Sequence, residues 1–177
     1  MHLNNIFIET DRLLLKPLSH DYTEEMIKKY TLENKKYKED DVLENVLEKS
    51  KTKIEKYIKN ITEGIDLHMV IIKKDSNDFI GFMSLYRINT LEPELEIWTK
   101  KTFRKNGYGL ETMNGLLKWA YKNIKFDYII YSTGGKIKQR KKLQVKDNYK
   151  RVKETKIVEN NKSKTKEKIK CNKIIME

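Results

Sequence analysis

The sequence predicts an α+β fold: mixed α and β, with helices packed on one central sheet. Three observations carry that reading. Residues 67–73, 79–88 and 93–99 are short β-branched and apolar runs separated by turn residues, which is the pattern of a β-meander. Residues 42–65 repeat apolar side chains at spacings of three and four, which is helical. A Gly-containing turn at 104–109 then leads into a second helical stripe and a short apolar run, so strand, turn, helix and strand read as a βαβ unit joined to the meander.

In chain order, residues 7–18 read as one strand closed by Pro17. Ser19 or Asp21 can cap a short helix through Tyr30. Val42, Leu43, Val46, Leu47, Ile54, Tyr57, Ile58, Ile61 and Ile65 form one stripe of a bent helix of about six turns, with Asp40 or Asp41 at its start and Gly64 at its end. In the strand at 93–99, alternation puts Glu94, Glu96 and Trp98 on one face and Leu95, Ile97 and Thr99 on the other. Leu110, Met113, Leu116, Leu117, Ala120 and Tyr121 mark the next helix, and residues 126–131 a short buried strand. Residues 149–158 and 169–176 are two last strands, linked by the polar stretch 159–168.

A chain of 177 residues is long enough for one domain with a sizeable core, so residues 1–177 are expected to form a single unit. No apolar run approaches the roughly 18 residues of a membrane span, and no signal peptide is evident at the start, so no membrane partner is expected. A single cysteine, Cys171, forbids an internal disulfide framework and fits a reducing compartment; a cytoplasmic protein is expected. The net charge of +12 is unevenly placed. Residues 1–132 hold 22 Lys+Arg against 21 Asp+Glu, net +1, and residues 133–177 hold 16 against 5, net +11. The charge therefore belongs to one segment and needs its own explanation.

The richest chemical signal is Arg104-Lys105-Asn106-Gly107-Tyr108-Gly109, between a strand and a helix. Glycines permit a tight turn and close ligand approach, and N–H groups at a helix start converge on an anion. Phosphate binding and a plain helix-starting loop both fit the spacing. It is neither a Walker loop nor a dinucleotide fingerprint. His2, His20 and His68 lack metal-ligand spacing and Cys171 has no partner, so no metal is expected. His68 and Trp119 read as packing residues.

The motif Arg104-x-x-Gly107-x-Gly109 resembles the acyl-CoA pyrophosphate signature of the GNAT superfamily of N-acetyltransferases. Glu94-Leu95-Glu96-Ile97-Trp98 and Gly107-Tyr108-Gly109-Leu110-Glu111 resemble the subgroup that acetylates ribosomal-protein N-termini, which reads Glu-Ile-Gly-Tyr-Trp and then Gly-Tyr-Ala-Thr-Glu. Ile8-Glu9-Thr10-Asp11-Arg12-Leu13 resembles that subgroup's opening, and Phe79-Ile80-Gly81 the start of its third strand, so the resemblance covers residues 7–132.

The resemblance implies a mostly antiparallel sheet of about six to seven strands with a splayed parallel pair, flanked by about four helices. It implies acetyl-CoA as cosubstrate, its pyrophosphate held by Arg104, Lys105, Asn106, Gly107, Tyr108, Gly109 and Leu110. Pantetheine would lie in the splay beside Ile97, Trp98 and Thr99, pairing like an added strand. The reaction would be direct acetyl transfer to a primary amine, foremost a protein or peptide N-terminus. Glu94 is the first candidate to take the amine's proton and Glu96 the second, while Tyr131 or Ser132 would return one to the thiolate. For both glutamates the alternative is an exposed strand carboxylate. Glu111 is expected to stabilise a helix end.

Residues 134–149 depart from the family, lacking its Asn-x-x-Ser pair. A diverged CoA site, a lysine-rich surface on a normal enzyme and a gene-level alteration such as a shifted reading frame all fit the basic segment 133–177. That segment could contact the ribosome or RNA. Acetylation of a small-molecule amine (aminoglycoside, polyamine) and a non-catalytic CoA- or RNA-binding protein remain the alternatives. The assembly is expected to be a monomer or homodimer.

Overall fold

The computed structural model describes residues 2–33, 41–132, 149–157 and 164–171. Among them are eight strands in one sheet, three α-helices and two single-turn 3-10 helices. The strands are β1 (Ile8–Glu9), β2 (Leu13–Pro17), β3 (Leu67–Lys73), β4 (Phe79–Tyr86), β5 (Glu94–Thr99), β6 (Tyr128–Ser132), β7 (Tyr149–Ile157) and β8 (Lys164–Cys171). The helices are α1 (Thr23–Glu33), α2 (Asp41–Thr62) and α3 (Tyr108–Asn123). The mixed α and β class holds. Sheet order is β1-β2-β3-β4-β5-β6-β8-β7, and every pairing is antiparallel except β5 with β6.

Three boundaries differ from expectation for local reasons. The single first strand is a hairpin, because the polar run Thr10-Asp11-Arg12 turns the chain. There Thr10 N–H bonds the Leu13 carbonyl at 2.9 Å, and Leu13 N–H bonds the Thr10 hydroxyl at 3.0 Å. The first helix starts at Thr23 rather than at Ser19 or Asp21; the Ser19 hydroxyl bonds the Asp21 carboxylate at 3.2 Å instead of capping a backbone N–H. The last described strand, Lys164–Cys171, begins five residues before the expected 169, so half of the expected polar linker is strand, while residues 172–176 of the expected strand lie outside the described residues. Of the about four helices implied by the resemblance, three are among the described residues, and the segment 134–148 that departs from the family lies outside them.

Strand alternation gives the sheet two faces. His68, Phe82, Ser84, Tyr86, Glu94, Glu96 and Trp98 share one, by register His68↔Ser84, Ser84↔Glu96, Phe82↔Trp98 and Tyr86↔Glu94. Helices α1 and α2 cover it: Met26, Ile54, Tyr57 and Ile61 are buried, and Tyr57 stacks on His68. Helix α2 ends where Gly64 takes φ 71°, letting Ile65 N–H return to the Asn60 carbonyl at 2.9 Å. Met69, Ile71, Met83, Leu85 and Leu95 form the buried opposite face, which α3 covers with Met113, Leu116, Leu117 and Ala120.

On that second face β4 runs unusually close to β5. A Cβ added at Gly81 would collide with the Trp98 carbonyl oxygen and lie 3.2 Å from Thr99 Cα. Both obstacles are backbone, so relief requires moving β5. Gly81→Ala is expected to lower unfolding stability by about 1–3 kcal/mol, measured as a reduced denaturant midpoint with an unchanged slope.

Candidate active site

The turn from β5 to α3 is built from two residues with positive φ, Lys105 at 69° and Gly107 at 81°. Gly107 is the N-cap of α3 and supplies no side-chain cap. The first intrahelical bond there is Glu111 N–H to the Gly107 carbonyl at 3.0 Å, so the N–H groups of Tyr108, Gly109 and Leu110 have no acceptor within the helix. Around them the loop is braced from within. Arg104 Nε donates to the Thr99 carbonyl at 3.0 Å, and Asn106 Nδ2 to the Phe103 carbonyl at 3.3 Å. Nothing lies within 4 Å of where a Cβ on Gly109 would stand. Free donors, the positive end of a helix and open space above a glycine suit a phosphate group. The Tyr108 ring is buried, so that residue offers the site its backbone only.

The loop is fixed by Glu111, one turn into α3. Its Oε1 accepts from the Thr10 hydroxyl at 2.6 Å and from Arg12 N–H at 2.8 Å. Its Oε2 accepts Arg12 Nε at 2.7 Å and lies 2.7 Å from the same guanidinium's Nη2. Arg12 in turn bonds the Asn106 carbonyl at 3.2 Å and lies 4.5 Å above the centre of the Tyr108 ring. Gly115 lets the hairpin come this near, since a Cβ there would stand 2.7 Å from Thr10 Cγ2. Burial pushes the Glu111 carboxyl up, but the Thr10 and Arg12 hydrogen bonds outweigh it and hold it below the usual glutamate range. Glu111 therefore stabilises the helix end, as expected, and also secures the whole turn.

The second feature is the splay. Strand β5 pairs with β4 along its full length, from Glu94 to Thr99, but with β6 only at Glu94↔Ile130 and Leu95↔Tyr131. Among the described residues Ile97, Trp98 and Thr99 have no partner on the β6 side, the positions opposite them in that register, 133–135, lying outside the described residues, and this stretch leads to the Arg104–Gly109 turn. Glu94 and Glu96 share the α1/α2 face, whereas Tyr131, in register with Leu95, belongs to the α3 face. Tyr131 is therefore on the opposite side of the sheet from the two glutamates, whereas Ser132, one residue on, alternates back to their side. Ser132 ends β6.

The α1/α2 face holds groups that the sequence reading did not single out. Glu96 Oε2 accepts from Tyr86 OH at 2.9 Å, and Tyr86 OH lies 3.3 Å from Tyr57 OH. Glu96 Oε1 is 3.8 Å from Lys29 Nζ, on a side chain only 2% exposed. That ammonium also lies 4.8 Å from the Phe82 ring centre and 5.7 Å from that of Trp98. Glu94 Oε2 is 3.7 Å from Arg87 Nη2. Deeper in, His68 is fully buried, with Nδ1 2.8 Å from the Ser84 hydroxyl and Nε2 3.5 Å from Asp66. Burial pushes its pKa down although Asp66 opposes the shift, so the ring is neutral packing. Lys29 carried one readable signal: it stands three residues from the buried Met26, on the inward side of an amphipathic helix.

A family profile described as an acetyltransferase (GNAT) domain matches residues 12–135. No curated protein matches the chain in sequence. Among solved structures, the fold is similar to that of a ribosomal L7/L12 alpha-N-protein acetyltransferase in complex with coenzyme A. That pair shares 14% identity at a TM-score of 0.68, covering 93% of this chain and 96% of the other. A microcin C7 self-immunity acetyltransferase in complex with acetyl-CoA and AMP is 15% identical at a TM-score of 0.64, covering 91% and 92%. A spermidine N-acetyltransferase chimera from Vibrio cholerae and hSSAT is 14% identical at a TM-score of 0.66, covering 91% and 95%.

The low pKa of Glu111 fixes a pH dependence. A carboxyl lowered on folding adds stability that is fully present above its unfolded value of about 4.3 and is lost as pH falls through the folded value. Glu111→Gln should therefore unfold at a lower temperature than the wild type at pH 7. The gap should narrow steadily below about pH 4. A gap independent of pH in thermal scans would show that the charge is immaterial.

Proposed function

We propose that this chain, which belongs to the acetyltransferase (GNAT) family, transfers the acetyl group of acetyl-CoA directly to the amine of a protein or peptide N-terminus. Family membership makes it an acetyl-CoA-dependent acetyltransferase; the acceptor and the residue roles are the proposed part. The observation that supports the roles best is the continuity of strand and turn: Ile97, Trp98 and Thr99, past the last described β5–β6 pair, lead to the N–H groups of Tyr108, Gly109 and Leu110, which have no acceptor within the helix.

We assign the pyrophosphate to the backbone of Lys105 through Leu110, with Arg104 and Lys105 adding charge at the mouth. Pantetheine is assigned to the backbone edge of β5. Bound there, acetyl-CoA supplies an activated thioester. Glu94 accepts the proton that an ammonium must lose before it can attack, with Glu96 as the second candidate on the same face. Tyr131, on the opposite face, or Ser132, on the glutamates' own face, returns a proton to the departing sulfur.

A peptide acceptor is favoured by charge. Residues 1–132 carry a net charge of +1, so this part of the chain has no strong negative field to gather a polycation. The basic segment from residue 133 is assigned to an anionic partner such as ribosomal RNA. The deciding experiment offers acetyl-CoA with N-terminal peptides, an aminoglycoside, spermidine and free amino acids, and follows thiol release. Peptide N-terminal acetylation should dominate; preference for spermidine or the aminoglycoside at low salt would overturn the assignment.

Two variants test the roles. At φ 81° a β-branched residue is strained whatever the space, so Gly107→Val should weaken acetyl-CoA binding at least tenfold, about 1.4 kcal/mol, by calorimetry. Glu94→Gln should lower turnover by roughly 10²-fold with acetyl-CoA affinity kept, and the deficit should shrink as pH rises and free amine becomes abundant. A wild-type rate and pH profile in that variant would pass the role to Glu96.

A further inference from the structure

A lysine side chain only 2% exposed is unusual, because taking an ammonium out of water is costly unless it is compensated. Lys29 sits between the Phe82 and Trp98 rings, 3.8 Å from Glu96, whose own side chain is 50% exposed. The cation is thus in the wall of the α1/α2 face, which in the reading above is the acceptor face because Glu94 and Glu96 lie on it, and its carboxylate partner is at the surface. Tyr86 OH holds the other oxygen of Glu96 at 2.9 Å, so the carboxylate is fixed between a hydroxyl and a cation.

The same balance recurs across this face. Glu94 is opposed by Arg87 at 3.7 Å, and Glu25, on the same helix as Lys29, by Lys100 at 2.8 Å and Lys28 at 3.7 Å. Each of these three carboxylates has a cation within reach. Where the face meets solvent, then, these carboxylates are each balanced, and Asp66, buried beneath them, is held by Asn60 Nδ2 and the Arg87 N–H.

We propose that Lys29 is a specificity-determining residue, which cancels the field of Glu96 and so excludes polycationic amines from the acceptor face. The inference rests on the acetyltransferase reading above and deepens it. An N-terminal amine brings one ammonium and loses its proton there. A polyamine keeps further ammonium groups protonated, and these need carboxylates that are not already neutralised. Lys29, in a wall of low dielectric, is screened less by solvent than a surface cation, so its field reaches the approaching amine.

The test is a change of preference rather than a loss of activity. Wild type, Lys29→Met and Lys29→Arg are assayed with an N-terminal peptide and with spermidine, at low ionic strength and at about 0.5 M salt. Lys29→Met, similar in volume but uncharged, should raise the ratio of kcat/KM for spermidine over peptide at least tenfold at low salt. Added salt should erase most of that gain, and Lys29→Arg should keep the wild-type ratio. Spermidine binding by calorimetry, without acetyl-CoA, should tighten in the same variant. An unchanged ratio and unchanged spermidine affinity in Lys29→Met would overturn the proposal. If that variant fails to fold, Lys29→Gln is measured instead, with the same two outcomes. Failure of the wild type to acetylate any peptide would overturn the acceptor assignment separately, while the calorimetric series would still decide the role of Lys29.

Discussion

The site depends on a carboxylate with few alternatives. Glu111 is half-buried in the first turn of α3, and a charge in that position must be met by donors. The β1–β2 turn supplies them from the Thr10 hydroxyl, the Arg12 backbone and the Arg12 guanidinium. The helix dipole adds to the attraction, because a negative charge is favoured at a helix N-terminus. Two segments about a hundred positions apart in sequence are thereby fixed together. Arg12, once held, reaches on to the Asn106 carbonyl and covers the Tyr108 ring, so the strained part of the turn is clamped from outside. Lys105 and Gly107 can then keep positive φ without the turn relaxing.

Topology supplies the rest. In an otherwise antiparallel sheet, β5 and β6 are the one parallel pair among the described strands, and α3 is the crossover between them. A crossover that begins at the end of β5 places its helix N-terminus at that end, beyond the last described β5–β6 pair. Gly-turn, helix dipole and that end of β5 therefore coincide as a result of one βαβ connection. Full pairing of β5 with β4 keeps that stretch from fraying.

Much of this was legible in the residues, and the misses share a cause. The meander, the long α2 stripe and the βαβ unit are periodic, and period survives burial. The turn at Arg104–Gly109 was legible because glycine spacing records a backbone requirement directly. The β1–β2 hairpin was not, since Thr10-Asp11-Arg12 turns through a side-chain hydroxyl rather than glycine or proline. Strand β8 was placed too late because its alternation is between lysines and other residues, Lys164, Lys166, Lys168 and Lys170, and apolar content was the guide. The role of Lys29, beyond its inward position on α1, and that of Tyr86 were hidden for a different reason. Their significance lies in meeting Glu96 across three elements, and no local pattern encodes a contact between α1, β4 and β5.

The order of the sheet has a consequence for how the protein behaves at high concentration. An eight-stranded sheet has two edges, and each is a ready template for another chain. Here one edge, β1, is two residues long, which leaves little ladder to copy. The other edge among the described strands, β7, has Lys150, Arg151, Lys153 and Lys156 against a single acid, Glu154, so a second copy brought alongside would set mostly like charges against each other. Shortness at one end and charge at the other oppose intermolecular strand pairing, and the basic sequence of β7 thus also protects against aggregation.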